Sequence, residues 1–368
     1  MMWKDRRQVI QQALIGGLST LLPIDFAIAQ TNTVTADAFA NSGLKGFQTD
    51  NVRARGNNAS YFDAVAATGA NVARIFFSFG KCQSCVQFGR APGDIDALHR
   101  ILDWANARNL KMVVAGEFTD ADKLAFWQST ELKQSVVENW RWFAKEFGNH
   151  PAIAGLDLLN EPNPPWLGGK LAGAHQLWQP LAEQAIVAIR AEGNTLPIIY
   201  EGVGGGSAIG FRDLVPFDDP QVVYSLHVYT PHDITHQGVG PAWARTIPYP
   251  AGPEWQLKDA VLEAGGWDRK RLKAALNDVV IFQQRHKRPI FVGEFSCVRW
   301  APKGSALRYV ADCLAIFKQY GWSWCYHDFR GWPGWDAEIA SEERSSVTRT
   351  TTAPTMNLLR AEITRRAG

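Results

Sequence analysis

The chain has 368 residues, 46% of them hydrophobic and 20% charged, a balance that excludes disordered and membrane-embedded proteins and fits a globular one. Its 38 Lys and Arg against 36 Asp and Glu leave a formal charge of +2, too weak a field to track nucleic acid or an anionic membrane, so an uncharged partner is expected. Fifteen Trp, 19 Phe and 8 Tyr stand out, because flat aromatic faces pack cores and also stack on the C–H surfaces of sugar rings.

The N-terminus reads as an export signal. Arg6-Arg7 precedes an apolar run over 13–22, and Ala27-Ile28-Ala29 forms a small-x-small cleavage site before Gln30. Residues 1–29 are therefore expected to be cut off after Ala29, leaving 30–368 as one catalytic domain. The apolar run is far short of the roughly 20 residues that span a bilayer, which argues against a membrane anchor. A secreted or periplasmic location follows, with paired arginines that resemble a twin-arginine signal. Five cysteines suit an oxidising compartment with one thiol left over. Cys82-x-x-Cys85 lacks the second pair of a zinc site and reads as a local disulfide.

Beyond the signal, strand-like and helix-like runs alternate. Apolar runs at 44–47, 72–77, 111–115, 153–159, 197–201, 222–228, 290–294 and 322–326 predict eight strands. Between them, stretches such as 95–108, 132–147, 175–191, 269–286 and 307–320 repeat apolar residues at intervals of three and four and predict helices. Such alternation implies parallel strands joined by crossovers, and eight units are the count of a closed barrel: the fold class is α/β, a single-domain (β/α)8 TIM barrel. The longest irregular stretch, 230–267, is rich in Gly and Pro and is long enough to build a wall of a cleft.

Functional groups in such a barrel project from the C-terminal ends of its strands. The fourth run ends Leu158-Leu159-Asn160-Glu161-Pro162 and the seventh ends Phe291-Val292-Gly293-Glu294-Phe295. One Glu at a strand end can simply cap a helix or pair with an Arg. Two on opposite sides of a barrel mouth suit glycoside hydrolysis with retention, where one carboxyl protonates the leaving oxygen and the other attacks the sugar carbon.

Taken together, Asn160-Glu161-Pro162, His227-x-Tyr229, Gly293-Glu294-Phe295 and Arg74 within Val72-Ala73-Arg74-Ile75 resemble glycoside hydrolase family 5, the cellulase-like barrels of the 4/7 superfamily. The motifs are in order and run across nearly the whole mature chain. The resemblance implies Glu161 as acid/base and Glu294 as nucleophile, acting by double displacement. It further implies that Asn160 bonds the sugar 2-hydroxyl, that Tyr229 sits by the nucleophile with Arg74 beneath it, and that His227 lines the site near the acid/base.

Two positions depart from that family's pattern. The third run ends Val113-Val114-Ala115-Gly116-Glu117 where the family carries a histidine. In Ser323-Trp324-Cys325-Tyr326-His327, either Trp324 supplies the family's stacking Trp or His327 occupies its place, and Trp324 is the reading preferred here. Downstream, Gly331-Trp332-Pro333-Gly334-Trp335-Asp336 offers two aromatic faces and a carboxylate for a sugar, with Trp packing over the barrel end as the alternative. Trp166 and Trp300 are positioned to flank the cleft.

The expectation is a secreted endo-β-1,4-glucanase, a monomer without cofactor or metal. A β-mannanase or a glycolipid- or oligosaccharide-specific β-glycosidase on the same machinery is the alternative, since the pocket walls choose the sugar. A carbohydrate-binding protein without catalysis fits poorly with two intact glutamates. A metal-dependent hydrolase would need His pairs at strand ends, whereas His232 and His236 lie in the Gly- and Pro-rich loop, where they are expected to face solvent.

Overall fold

In the computed structural model, which describes residues 34–79, 92–118, 124–165 and 170–365, the runs rich in Val, Ile and Phe form parallel strands. They are β1 (Lys45–Asn51), β2 (Val72–Ser78), β3 (Lys111–Glu117), β4 (Ile153–Asp157), β5 (Ile198–Glu201), β6 (Val222–Val228), β7 (Ile290–Phe295) and β8 (Ser323–Tyr326). Each pairs with its neighbours in sequence and β1 also pairs with β8, so the sheet closes into the expected (β/α)8 barrel. The expected signal peptide, Cys82, Cys85 and Trp166 lie outside the described residues.

Helices Pro92–Asn106, Thr130–Phe147, Leu171–Ala191 and Ser305–Tyr320 lie where the periodicity predicts them. The run 269–286 is two helices, Arg269–Ala275 and Asn277–His286, because Leu276 at φ −92° and ψ 6° leaves helical geometry. Several helices begin where a side chain satisfies a free N–H: Ser129 caps Leu132 and Asp268 caps Arg271. Pro354–Thr364 is a further helix that periodicity did not predict. None of the described helices is long and apolar enough to cross a membrane.

The period-2 alternation of strands decides what faces the barrel interior. Val72, Val113, Ile199, Val223, Phe291 and Cys325 share one apolar cluster with Phe39, toward the N-terminal ends of the strands. Two residues further along, the inward positions turn polar: Arg74 follows Val72, Glu201 follows Ile199, Ser225 follows Val223 and His327 follows Cys325. The alternate positions Ile75, Tyr200, Leu226, Val292, Trp324 and Tyr326 belong to the apolar shell beneath the helices.

That parity corrects the preferred reading of the eighth strand. Trp324 is 2% exposed and packs edge-on against Phe295 at 5.6 Å, so it cannot reach a sugar. Cysteine pairing also differs from the expectation of a single leftover thiol. Cys297, Cys313 and Cys325 are all free and buried, where burial pushes their thiols up and keeps them inert.

Two segments build the rim. Residues 230–267 fold through the short helix His232–Thr235 and are pinned by bridges Ala251 to Trp267 and Leu257 to Gly265. Residues 333–346 are gathered by Arg299, whose guanidinium donates to the carbonyls of Pro333 at 2.8 Å, Glu343 at 2.7 Å, Arg344 at 3.0 Å and Ser346 at 2.7 Å.

Candidate active site

Arg74 is the hub of the polar layer. Fully buried on β2, it donates through Nε to Asp157 at 2.8 Å, through Nη1 to Glu294 at 2.8 Å and Gln48 at 3.1 Å, and through Nη2 to Glu201 at 2.7 Å and Asn160 at 2.9 Å. Burial works against its charge, and Asp157, Glu201 and Glu294 more than restore it. Holding Oδ1 of Asn160 leaves the amide nitrogen as the end able to meet a sugar hydroxyl. Asp157 is pushed up to about 7 by burial, against the attraction of Arg74.

Glu294, near the end of β7, is buried and takes three further polar neighbours. Tyr229 donates its hydroxyl to Oε2 at 2.9 Å, His327 Nδ1 lies 2.9 Å from the same oxygen, and His227 Nδ1 lies 3.8 Å away. Burial raises its proton affinity, but His227, His327 and Arg74 hold the carboxyl well below the usual range. Held in the ionised form, it is suited to be a nucleophile. Tyr229 is held in the phenol form by burial and by the adjacent Glu294 and Glu161, so it remains a donor.

Glu161 follows β4 and takes a left-handed backbone at φ 47°, a conformation a non-glycine residue adopts only where its surroundings demand it. Its side chain is 43% exposed, and Oε1 accepts from His227 Nδ1 at 2.8 Å. Burial opposes charge on His227, yet Glu201 and Glu294, with hydrogen bonds to Glu161 and Glu201, raise its pKa well above the ordinary value. His227 stands between Glu161 and Glu294, its Nδ1 2.8 Å from the first and 3.8 Å from the second. An oxygen of Glu161, a nitrogen of His227 and an oxygen of Glu294 all lie within 4.8 Å of one another. Such a trio has the donor types of a metal site, but both oxygens of Glu294 already have partners, Oε1 in Arg74 and Oε2 in Tyr229.

The remaining expected residues divide. His327 occupies the place weighed for Trp324, bonded at 2.6 Å to Tyr229 and close to Glu294. Trp335 lies against Tyr229 at 5.4 Å and 30° and against His327 at 4.9 Å, bracing both. Trp332 is further out, 39% exposed and edge-on to Trp335 and Trp300. Asp336 does not face the cleft: it is buried, paired with Arg349 at 2.5 Å, and accepts the backbone N–H of Glu338. An internal ion pair has consumed the carboxylate expected to bind a sugar. Glu117, at the end of β3, accepts from Ser78 at 2.9 Å. His232 is exposed as expected, whereas His236 is half-buried among Tyr229, Trp243 and Trp335, and burial pushes it down to about 3.

Sequence reasoning missed Gln48, Asp157 and Glu201. Asp157 and Glu201 carried a signal, since a carboxylate within or closing an apolar strand needs a buried partner, and Arg74 was the obvious one. Beside Glu161 a cavity of about 520 Å³ opens, lined by Gly204, Gly205, Tyr229, His232 and Asp259 among others.

Comparison with known proteins agrees with this architecture. The family model described as cellulase (glycosyl hydrolase family 5) matches residues 30–331. Endoglucanase C of Acetivibrio thermocellus is 24% identical over 312 residues, 78% of this chain and 87% of that protein. Among solved structures, Thermotoga maritima Cel5A with cellobiose superposes at a TM-score of 0.71 and 18% identity, covering 89% of this chain and 99% of that one. The same enzyme with mannotriose gives 0.68 and 18%, covering 87% and 98%. The family match spans most of the sequence and includes Arg74, Glu161, His227 and Glu294, so the chain belongs to glycosyl hydrolase family 5, the cellulase family, and is a glycoside hydrolase.

Proposed function

We propose that the protein is a retaining endo-β-1,4-glucanase, with Glu161 as acid/base and Glu294 as nucleophile. The carrying observation is the spacing of the two carboxylates, an oxygen of each lying within 4.8 Å of the other. Nearest oxygens this close favour the short carboxyl separation of retaining enzymes, about 5–5.5 Å, over the roughly 6.5–9.5 Å with which an inverting enzyme seats a water. In the first step an oxygen of Glu294 attacks the anomeric carbon while Glu161 protonates the glycosidic oxygen, and the leaving chain departs. In the second, Glu161 takes a proton from water, the water attacks the same carbon, and the ester to Glu294 breaks.

A polymeric β-glucan is favoured by the near-neutral charge of the chain, the exposed aromatic face of Trp332 near the site, and the endoglucanase name of the Acetivibrio thermocellus relative. Mannan is the second reading, because Thermotoga maritima Cel5A has been solved with both cellobiose and mannotriose. Side-by-side release of reducing ends from soluble cellulose derivatives, mixed-linkage glucan, mannan and glycolipid separates these readings. Glu161→Gln and Glu294→Gln should each lower turnover about 100-fold or more on the preferred polymer while leaving the fold intact. Wild-type turnover in either variant would refute the assignment.

A further inference from the structure

Glu201 closes β5, is fully buried, and serves three neighbours in the site. Its Oε2 accepts the backbone N–H of Glu161 at 2.9 Å, and its Oε1 takes Arg74 Nη2 at 2.7 Å. Oε1 also lies 3.4 Å from His227 Nε2, whose other ring nitrogen meets the Glu161 carboxyl at 2.8 Å. Glu201 thus touches the acid/base from both ends, at the strained backbone directly and at the carboxyl through an imidazole.

The loop that follows is shaped around this carboxylate. Gly204, Gly205 and Gly206 all have positive φ. A Cβ on Gly206 would stand 2.8 Å from Glu201 Oε2, so only glycine leaves room for the Glu161 N–H to be met there. The carbonyl of Gly206 in turn accepts the N–H of His227 at 2.7 Å, and Gly205 donates to the carbonyl of Pro162 at 3.1 Å. One short loop ties Glu201, His227 and the Glu161-Pro162 turn together.

We propose that Glu201 is a positioning residue for the acid/base, fixing the Glu161 backbone and setting the charge and orientation of the His227 ring that meets the Glu161 carboxyl. A neutral imidazole donates from one nitrogen only, whereas an imidazolium flanked by Glu201 and Glu161 can face both. When Glu161 protonates the leaving oxygen it becomes an anion beside that cation, and a charge-assisted bond stabilises it until it takes the proton of water. The inference rests on the acid/base assignment of Glu161.

The test compares Glu201→Gln, Glu201→Asp and Glu161→Gln with the wild type on mixed-linkage β-glucan and on dinitrophenyl β-cellobioside, whose leaving group departs without protonation. For Glu201→Gln, kcat/KM on the glucan should fall about 100-fold, in line with loss of acid catalysis, and change only a few-fold on the aryl glycoside. The alkaline limb on the glucan should move by about one pH unit, because Glu201 governs the charge that His227 presents to the acid/base. Glu201→Asp keeps the charge and should restore the limb. Equal losses on both substrates with an unmoved limb would overturn the proposal. If Glu201→Gln does not fold, Glu201→Asp decides by the same ratio: its shorter reach loses the Glu161 N–H, so a glucan-selective loss supports the role and an equal loss removes it. Unimpaired glucan cleavage by Glu161→Gln would instead sink the acid/base assignment itself.

Discussion

At the scale of single residues, the charge of Glu294, the proposed nucleophile, is governed by the basic groups around it. His327 lies 2.9 Å from Glu294 and is itself raised in pKa, since the attraction of Glu294 and Asp328 outweighs burial. A cation at that distance lowers the proton affinity of Glu294, so its removal must raise it. For His327→Gln the acidic limb of kcat/KM should therefore shift to higher pH by about one unit, measured from full pH–rate profiles. An unmoved limb would mean that Arg74 and His227 alone set the charge of Glu294. His327 also marks where local reading reached its limit. Asn160-Glu161-Pro162, His227-x-Tyr229 and Gly293-Glu294-Phe295 were legible because each stands at a strand end with a distinctive neighbour. The choice between Trp324 and His327 depends on strand parity, which short motifs do not carry, and only the inward placement of Cys325 fixes it.

Among the elements, the segment after β8 links binding to chemistry. Trp332 is exposed and touches Trp300 and Trp335, while Trp335 braces Tyr229 and His327. The two tryptophans should therefore separate in kinetics. Stacking on a remote sugar is equal in ground and transition states, so Trp332→Ala should raise KM with little change in kcat, by about 0.5–1.5 kcal/mol of binding. Trp335→Ala should lower kcat as well, because Tyr229 and His327 lose the face that holds them. Steady-state kinetics on a soluble glucan distinguish the two, and identical effects on KM alone would contradict the bracing role. Periodicity made the strands and most helices legible, yet it could not show that Asp336 turns inward to Arg349, a pairing 13 residues away across an irregular loop.

Over the whole molecule, the apolar lower half of the barrel supports a layer of charges made of Arg74, His227 and His327 against Asp157, Glu201 and Glu294. Eight repeats made the barrel legible, while this layer was not, because its members come from strands far apart in sequence and meet only after closure. In the ligand-like trio of Glu161, His227 and Glu294 both oxygens of Glu294 are already bonded to Arg74 and Tyr229, so activity should persist in EDTA. Loss in chelator that zinc or calcium restores would show a metal-dependent hydrolysis instead. The central claim is that Glu294 carries the sugar as a covalent intermediate. A 2-deoxy-2-fluoro-β-cellobioside with a good leaving group should slow the second step enough to trap that ester, and peptide mass spectrometry should place the added sugar on Glu294. A label on another residue, or no label from an enzyme that cleaves glucan with inversion at the anomeric carbon, would contradict the account.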